Sequence, residues 1–181
     1  MRINNRSELK NKQAEFKRSL DSQKIQILIC AGTGCVAGGS LNIYARLKEL
    51  MDERNIHCSL VLEKEPHDDS VGLKKSGCHG FCEMGPLMRI EPMGWLYVKV
   101  KVEDCEEILE KTILKGEIVD RLLYQDNTLK SYQKQEDIPF YKKQTRIALE
   151  QCGKINAESI AEYLAIGGYS AVAKALFDMT P

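Results

Sequence analysis

The amino-acid sequence predicts an α/β domain in which helices cover a small sheet, with a helix before it and a short helical segment after it. Three observations support this prediction: an apolar stretch at 25–29, a helical repeat that starts at Ser40, and two alternating stretches on either side of Pro92-Met93-Gly94. Apolar residues at every second position are typical of strands, and a spacing of three or four is typical of helices.

The N-terminal residues 1–23 are predicted to form a leader helix. Leu9, Phe16 and Leu20 fall on one stripe of a helix over 3–20, and charged residues fill its other faces. Such a helix either packs loosely on its own domain or docks on another subunit. The first 24 residues carry seven Lys or Arg and three Asp or Glu but no continuous apolar stretch. They therefore lack the features of a secretory signal and indicate a cytoplasmic protein.

A strand, a helix and a second strand are predicted next. The stretch 25–29 predicts a strand that leads directly into Cys30. Ser40 is predicted to cap a helix whose apolar face consists of Leu41, Tyr44, Leu47 and Met51. Residues 58–62 predict the second strand, and the polar, glycine-containing stretch 63–80 predicts a loop.

A hairpin and a helix complete the predicted domain. Residues 87–91 and 95–100 alternate in polarity, and Pro92-Met93-Gly94 between them is typical of a hairpin turn. Glu103-Asp104 open a helix that ends at Gly116 and whose apolar side consists of Cys105, Ile108, Leu109 and Thr112. The order β-α-β followed by β-β-α over residues 24–120 is the order of the thioredoxin-like fold.

The remaining residues are predicted to form a linker and a small helical unit. Residues 121–138 are polar and weakly patterned, so we expect a linker that offers no packing surface. Residues 139–181 predict three short helices, at 141–151, at 156–166 with Asn156 as its cap, and from Ser170. We expect this unit to be separate from the main domain and to bury its apolar residues against another partner. These residues are Ile147, Ile160, Leu164, Val172, Leu176 and Phe177.

Charge and hydropathy exclude two classes of function. Lys and Arg together number 26, as do Asp and Glu, so no net field favours nucleic acid or an anionic membrane. No apolar run approaches the roughly 20 residues that a membrane span needs. We therefore expect neither nucleic-acid binding nor membrane insertion.

The seven cysteines point to a metal centre. Their odd number and the missing export signal argue against a disulfide framework. Four of them form two close pairs, Cys30-x4-Cys35 and Cys78-x3-Cys82, which are separated by 42 residues. A [2Fe–2S] cluster has two irons that each need two thiolates, so two local pairs satisfy it. Glycines crowd around both pairs, as a loop wrapped around a cluster requires: Gly32, Gly34, Gly77, Gly80 and Gly85.

Two alternatives compete with the iron–sulfur interpretation. One alternative is a structural zinc site and the other is a thiol oxidoreductase. Both typically contain two cysteines separated by two residues, and no such pair occurs here. The other cysteines have different roles in this interpretation: Cys58 and Cys105 are predicted to be small buried hydrophobes, and Cys152 either packs or is an exposed thiol. His79 is predicted to be a partly exposed loop histidine without a special role.

The segments 30–35 (CAGTGC) and 77–88 (GCHGFCEMGPLM) resemble the thioredoxin-like [2Fe–2S] ferredoxin domain, over roughly residues 24–120. That domain occurs as a small subunit of respiratory NADH dehydrogenase. It also forms the N-terminus of the flavin subunit of NAD(P)-linked and electron-bifurcating hydrogenases and of related formate dehydrogenases. The resemblance implies one-electron transfer through a [2Fe–2S] cluster held by Cys30, Cys35, Cys78 and Cys82.

The C-terminal residues are similar to the opening of the main body of that flavin subunit. The similarity rests on 140–149 (FYKKQTRIAL), 152–156 (CGKIN), 167–169 (GGY) and 174–176 (KAL). It implies partners among the other iron–sulfur and flavin subunits of a multi-subunit oxidoreductase, a hydrogenase or an NADH dehydrogenase. The FMN, NAD(H) and [4Fe–4S] sites of the family would follow Pro181. We therefore expect no hydride chemistry from this chain alone, which is either a fragment or a short electron-transfer module.

Overall fold

A computed structural model describes residues 2–60, 62 and 70–180 of the chain. The five strands of its main sheet are β1 (Ile25–Cys30), β2 (Cys58–Ser59), β3 (Val71–Ser76), β4 (Met88–Glu91) and β5 (Trp95–Tyr97). They lie in the order β2-β3-β1-β4-β5. Strand β1 pairs in parallel with β3 and antiparallel with β4, so it is the central strand of a mixed sheet.

Seven helices surround the sheet in the part of the chain that the structure describes: α1 (Arg6–Asp21), α2 (Thr33–Ala37), α3 (Ser40–Glu53), α4 (Cys105–Glu107), α5 (Pro139–Lys142), α6 (Ile160–Ala165) and α7 (Ser170–Asp178). Helix α4 continues as a π-helical segment, Ile108–Leu114. Helix α3 and this segment bury the alternate β1 residues Ile25, Ile27 and Ile29 in the main core. This α/β arrangement confirms the predicted fold class.

Helix α1 begins at Arg6 because Asn5 caps it, with Asn5 Oδ1 accepting from the Glu8 amide at 2.9 Å. Its apolar stripe does not face solvent. Leu9 and Phe16 pack in a buried cluster with Leu164 and Ala165 of α6 and with Ala173 of α7. The leader helix therefore packs on its own chain, through the C-terminal helices.

Strand β3 lies within the stretch 63–80 that the sequence predicts to be a loop, and that prediction is wrong for residues 71–76. The strand carries Lys74 and Lys75, whereas buried parallel strands usually show a continuous apolar run. Lys74 is 1% exposed because Glu162, which is 0% exposed, lies beside it. The ion pair has an Nζ–Oε1 distance of 3.0 Å, and Lys74 Nζ also donates to Gln26 Oε1. The carboxylate of Glu162, from helix α6, thus allows Lys74 to be buried inside the sheet.

Among the described residues of the predicted strand at 58–62, only the first two form a strand, the short β2. Residue 61 and residues 63–69, which belong to the predicted strand and loop, lie outside the described part of the chain. Ser40 does not cap α3 as predicted. Gly39 precedes the helix with a φ of +90°, and Ser40 is its first residue, with a buried hydroxyl that has no partner among the described residues.

The stretch 121–138 is not an unpacked linker, because it covers the edge of the sheet at β5. The Leu96 amide donates to the Gln133 carbonyl at 2.9 Å, and the Val98 amide donates to the Leu122 carbonyl at 2.8 Å. Two short strands, β6 (Tyr124–Gln125) and β7 (Ser131–Tyr132), pair within it. The sequence interpretation missed this arrangement because it relied on side-chain polarity, whereas these hydrogen bonds are made by backbone groups.

The C-terminal segment also packs on the sheet, so the expectation of a separate unit is wrong. Glu162 of α6 pairs with Lys74 of β3, and Asn156 forms a backbone bridge with Ser76. The predicted helix at 141–151 is reduced to α5, and Ser159 rather than Asn156 caps α6. Only Leu164 of the six predicted apolar residues is buried; Ile147, for example, is 85% exposed. Among the residues described, no helix combines the length and apolar character required to cross a membrane.

Candidate metal centre

Strands β1 and β3 bring the two cysteine pairs to the same edge of the sheet. Cys30 is the last residue of β1 and lies opposite Ser76, the last residue of β3, in the parallel register. Cys78 follows Ser76 by two residues. Because the carboxyl ends of parallel strands meet at one edge, the first cysteine of each pair lies at this edge.

Short helical turns bring the second cysteine of each pair back to the first. Helix α2, which the sequence did not predict, begins after the extended residue Gly32 and carries Cys35. Cys82 starts a 3-10 turn, Cys82–Met84. The loop of the first pair lies against the second pair, because a Cβ added to Gly32 would lie 3.1 Å from Cys78 Sγ and one added to Gly34 would lie 3.5 Å from Cys82 Sγ. The structure therefore unites all four predicted ligands.

Three glycines leave the space that these thiols occupy. A Cβ added to Gly85 would lie 2.8 Å from Cys35 Sγ, and one added to Gly32 would lie 3.1 Å from Cys78 Sγ. A Cβ on Gly34 would lie 3.3 Å from the Cβ of Cys82. These three glycines thus allow close approach to the cysteine side chains and do not serve only as turn residues.

Backbone amides and neighbouring thiols favour a thiolate at Cys30. A hydrogen bond from the Cys35 thiol, together with the backbone amides of His79 and Gly32, lowers the pKa of Cys30 to about 6 against the effect of burial. The same contact and burial raise the pKa of Cys35. The Gly80 amide donates to Cys78 Sγ at 3.3 Å. Amide donors directed at sulfur are also what an iron–sulfur cluster needs.

The two pairs differ in exposure. Cys30 and Cys35 are each 1% exposed, whereas Cys78 and Cys82 are exposed at the surface. One side of the thiol group therefore faces the protein interior and the other faces solvent.

His79 differs from the sequence prediction, because it is 0% exposed rather than partly exposed. Ser76 Oγ lies 2.8 Å from His79 Nε2, and a Cβ on Gly153 would lie 2.9 Å from His79 Nδ1. Burial lowers the pKa of His79 to about 4, so the imidazole is neutral at pH 7. The residues that cover it come from the C-terminal segment, which explains why the local sequence did not reveal its burial.

Of the other three cysteines, Cys58 and Cys105 lie elsewhere on the domain, and Cys152 lies beside the site. Cys105 is fully buried, as predicted, and Cys58 is half-buried in β2. Burial raises the pKa of Cys105 to about 12 and that of Cys58 to about 11. Cys152 is half-buried, and its Sγ would lie 3.8 Å from a Cβ on Gly77.

Two residues of the C-terminal segment lie beside the thiols, and the sequence interpretation missed both roles. Arg146 Nη2 donates to the His79 carbonyl, and its guanidinium carbon lies 5.1 Å from the ring centroid of Tyr141. Tyr141 shares a buried cluster with Cys30 and Cys35. The aromatic pair Phe140-Tyr141 within a polar stretch was the sequence feature that could have indicated a buried position for Tyr141.

The donor set fits a [2Fe–2S] cluster. Within 2–60, 62 and 70–180, no three His, Cys, Asp or Glu side chains form a group that could hold a single metal ion. A [2Fe–2S] cluster makes a different demand, because each iron takes only two protein thiolates. Two local thiol pairs, glycine-lined space and amide donors at sulfur match that demand.

Comparisons with known proteins identify the family of the chain. The family model described as thioredoxin-like [2Fe-2S] ferredoxin matches residues 15–113. A [2Fe-2S] ferredoxin from Clostridium pasteurianum is 32% identical over 88 residues, which are 49% of this chain and 76% of the relative. A [2Fe-2S] ferredoxin from Aquifex aeolicus is 46% identical over 48 residues, 26% of this chain and 43% of the relative.

A solved thioredoxin-like [2Fe-2S] ferredoxin from Aquifex aeolicus aligns with a TM-score of 0.43 and 25% identity, covering 55% of this chain and 89% of that one. Membership rests on the family model, which spans more than half of the chain, and on the Clostridium relative. The chain therefore belongs to the thioredoxin-like [2Fe–2S] ferredoxin family, and its function is ferredoxin-type electron transfer with a [2Fe–2S] cluster as cofactor.

Proposed function

We propose that Cys30, Cys35, Cys78 and Cys82 hold the cluster, and that the chain passes single electrons within an NAD(P)H-linked oxidoreductase of the cytoplasm. The observation that carries the ligand assignment is the meeting of the two cysteine pairs at the edge where β1 and β3 end, with glycines of each pair's loop placed against sulfur atoms of the other pair. Of the remaining cysteines, Cys105 lies in the main core, Cys58 packs against that core, and Cys152 lies near Gly77.

Each part of the site has a separate task in this proposal. The bound cluster supplies one reversible electron transfer per cycle. Cys30 and Cys35 anchor the buried side, while the backbone amides of Gly32, His79 and Gly80 stabilise negative charge on sulfur. The exposed Cys78 and Cys82 mark the side that a redox partner can approach most closely.

The proposal of an NAD(P)H-linked complex, a hydrogenase or an NADH dehydrogenase, is supported by the flavin-subunit resemblance of the C-terminal segment and by its exposed apolar side chains. Val172 is 52% exposed, Leu176 is 72% exposed and Phe177 is 60% exposed, all on α7. Contiguous exposed apolar surface is typical of an interface. We infer that other iron–sulfur or flavin subunits, which would hold FMN, NAD(H) and a [4Fe–4S] cluster, contact this helix.

Spectroscopy of the anaerobically purified chain tests the proposal. We expect a reddish protein that accepts one electron per chain from a strong reductant and shows the EPR signal of a reduced [2Fe–2S] cluster. Without flavin the chain has no two-electron acceptor, so NADH should not reduce it. A colourless protein with stoichiometric zinc would contradict the cluster. Bound FMN with NADH-driven dye reduction would contradict the division of tasks between subunits.

A further inference from the structure

The hydroxyl of Tyr141 is buried without a hydrogen-bond partner in the described part of the chain. The residue is only 8% exposed, so bulk solvent has little access to it. Buried tyrosine hydroxyls usually have a partner, and an unsatisfied one in a native structure indicates a group that the protein alone does not provide.

The position of Tyr141 indicates what that group is. Its ring packs edge-on against Phe81 and Phe140, with centroid distances of 5.6 and 5.2 Å, and shares a buried cluster with Cys30 and Cys35. The hydroxyl therefore belongs to a residue of the same buried cluster as two of the proposed sulfur ligands.

We propose that the Tyr141 hydroxyl donates a hydrogen bond to a sulfur atom of the iron–sulfur centre and thereby raises its reduction potential. The inference rests on the proposed cysteine ligands. Reduction adds negative charge to the centre, and a donor at sulfur stabilises that charge. Because Tyr141 follows the residues 15–113 that match the family model, the C-terminal segment adds a tuning residue to the ferredoxin domain.

The test is Tyr141→Phe in the full chain, which removes the hydroxyl and keeps the ring. We expect the equilibrium constant for one-electron reduction to fall about tenfold, as for loss of a hydrogen bond to a charged group, which is about 59 mV. The Fe–S stretching bands in resonance Raman spectra should also lose part of their shift between H2O and D2O. Tyr132→Phe is the matched control, because Tyr132 Oη already donates to Asp126 Oδ2 at 2.8 Å.

The outcomes separate this inference from the proposed function. If the unsubstituted chain binds no cluster, the proposed function fails, and this inference fails with it. If both variants bind the cluster and Tyr141→Phe keeps the wild-type potential and isotope shift, only the inference is overturned. If Tyr141→Phe binds no cluster, 3-fluorotyrosine at position 141, a stronger donor, must raise the potential; an unchanged potential would overturn the inference.

Discussion

Single residues determine the space available to the thiols of the metal centre, and Gly85 is an example. A Cβ at this position would lie 2.8 Å from Cys35 Sγ and 3.2 Å from the Cys82 carbonyl oxygen. Gly85, which follows the second cysteine pair, thus leaves the space that the Cys35 thiol of the first pair occupies. The four ligand candidates could be predicted from sequence because their spacing is local, but this cross-pair contact could not.

We predict that Gly85→Ala lowers the iron content of the purified chain, because the methyl group displaces the Cys35 thiol or the Cys82 backbone. Iron and sulfide analysis after anaerobic purification measures the effect. Gly77→Ala is the control, since a Cβ there meets nothing closer than 3.8 Å. Equal iron content in the two variants would show that the glycine space is not needed.

At the element scale, β3 shows why the sequence interpretation failed within the domain while it succeeded for β1 and the hairpin. The apolar stretch of β1 and the turn between β4 and β5 are local signals. Strand β3 carries Lys74, whose burial depends on Glu162, a residue 88 positions later (162 − 74). No pattern within β3 reveals a partner at that distance.

We predict that Lys74→Met destabilises the fold by about 3–5 kcal/mol, because it leaves the Glu162 carboxylate buried without its cation. Lys74→Met combined with Glu162→Gln should recover most of this loss, since the amide oxygen can still accept from the Asn156 amide. Denaturant unfolding measures both. Lys75→Met is the control for an exposed pair, with Glu158 70% exposed, and should change the free energy of unfolding by less than about 1 kcal/mol. If Lys74→Met cost no more than Lys75→Met, the buried pair would not stabilise β3.

At the scale of the whole molecule, the C-terminal segment completes the ferredoxin domain. It covers His79, pairs with Lys74 and packs on α1, and each contact joins residues far apart in sequence. The pattern and caps of the segment predicted its helices only in part, and neither they nor the flavin-subunit resemblance predicted this packing. Leu164 and Ala165 are buried because they pack in one cluster with Leu9 and Phe16 of α1.

We predict that hydrogen exchange protects the C-terminal segment unevenly. The Asn156 amide donates to the buried Glu162 Oε2 at 2.8 Å, so it should be protected to a degree similar to the amides of β1. The amide of Ile147, in a turn whose side chain is 85% exposed, should exchange much faster. Fast exchange at Asn156 would mean that the segment does not pack stably on the sheet.

The measurement that tests the central claim most directly is iron and acid-labile sulfide per chain in seven single Cys→Ser variants. We expect variants of Cys30, Cys35, Cys78 and Cys82 to lose or severely weaken the cluster, because each iron would lose one of its two thiolates. Variants of Cys58, Cys105 and Cys152 should keep two irons and two sulfides, the content of one [2Fe–2S] cluster. Loss of the cluster in Cys58→Ser together with its retention in Cys30→Ser would contradict the ligand assignment.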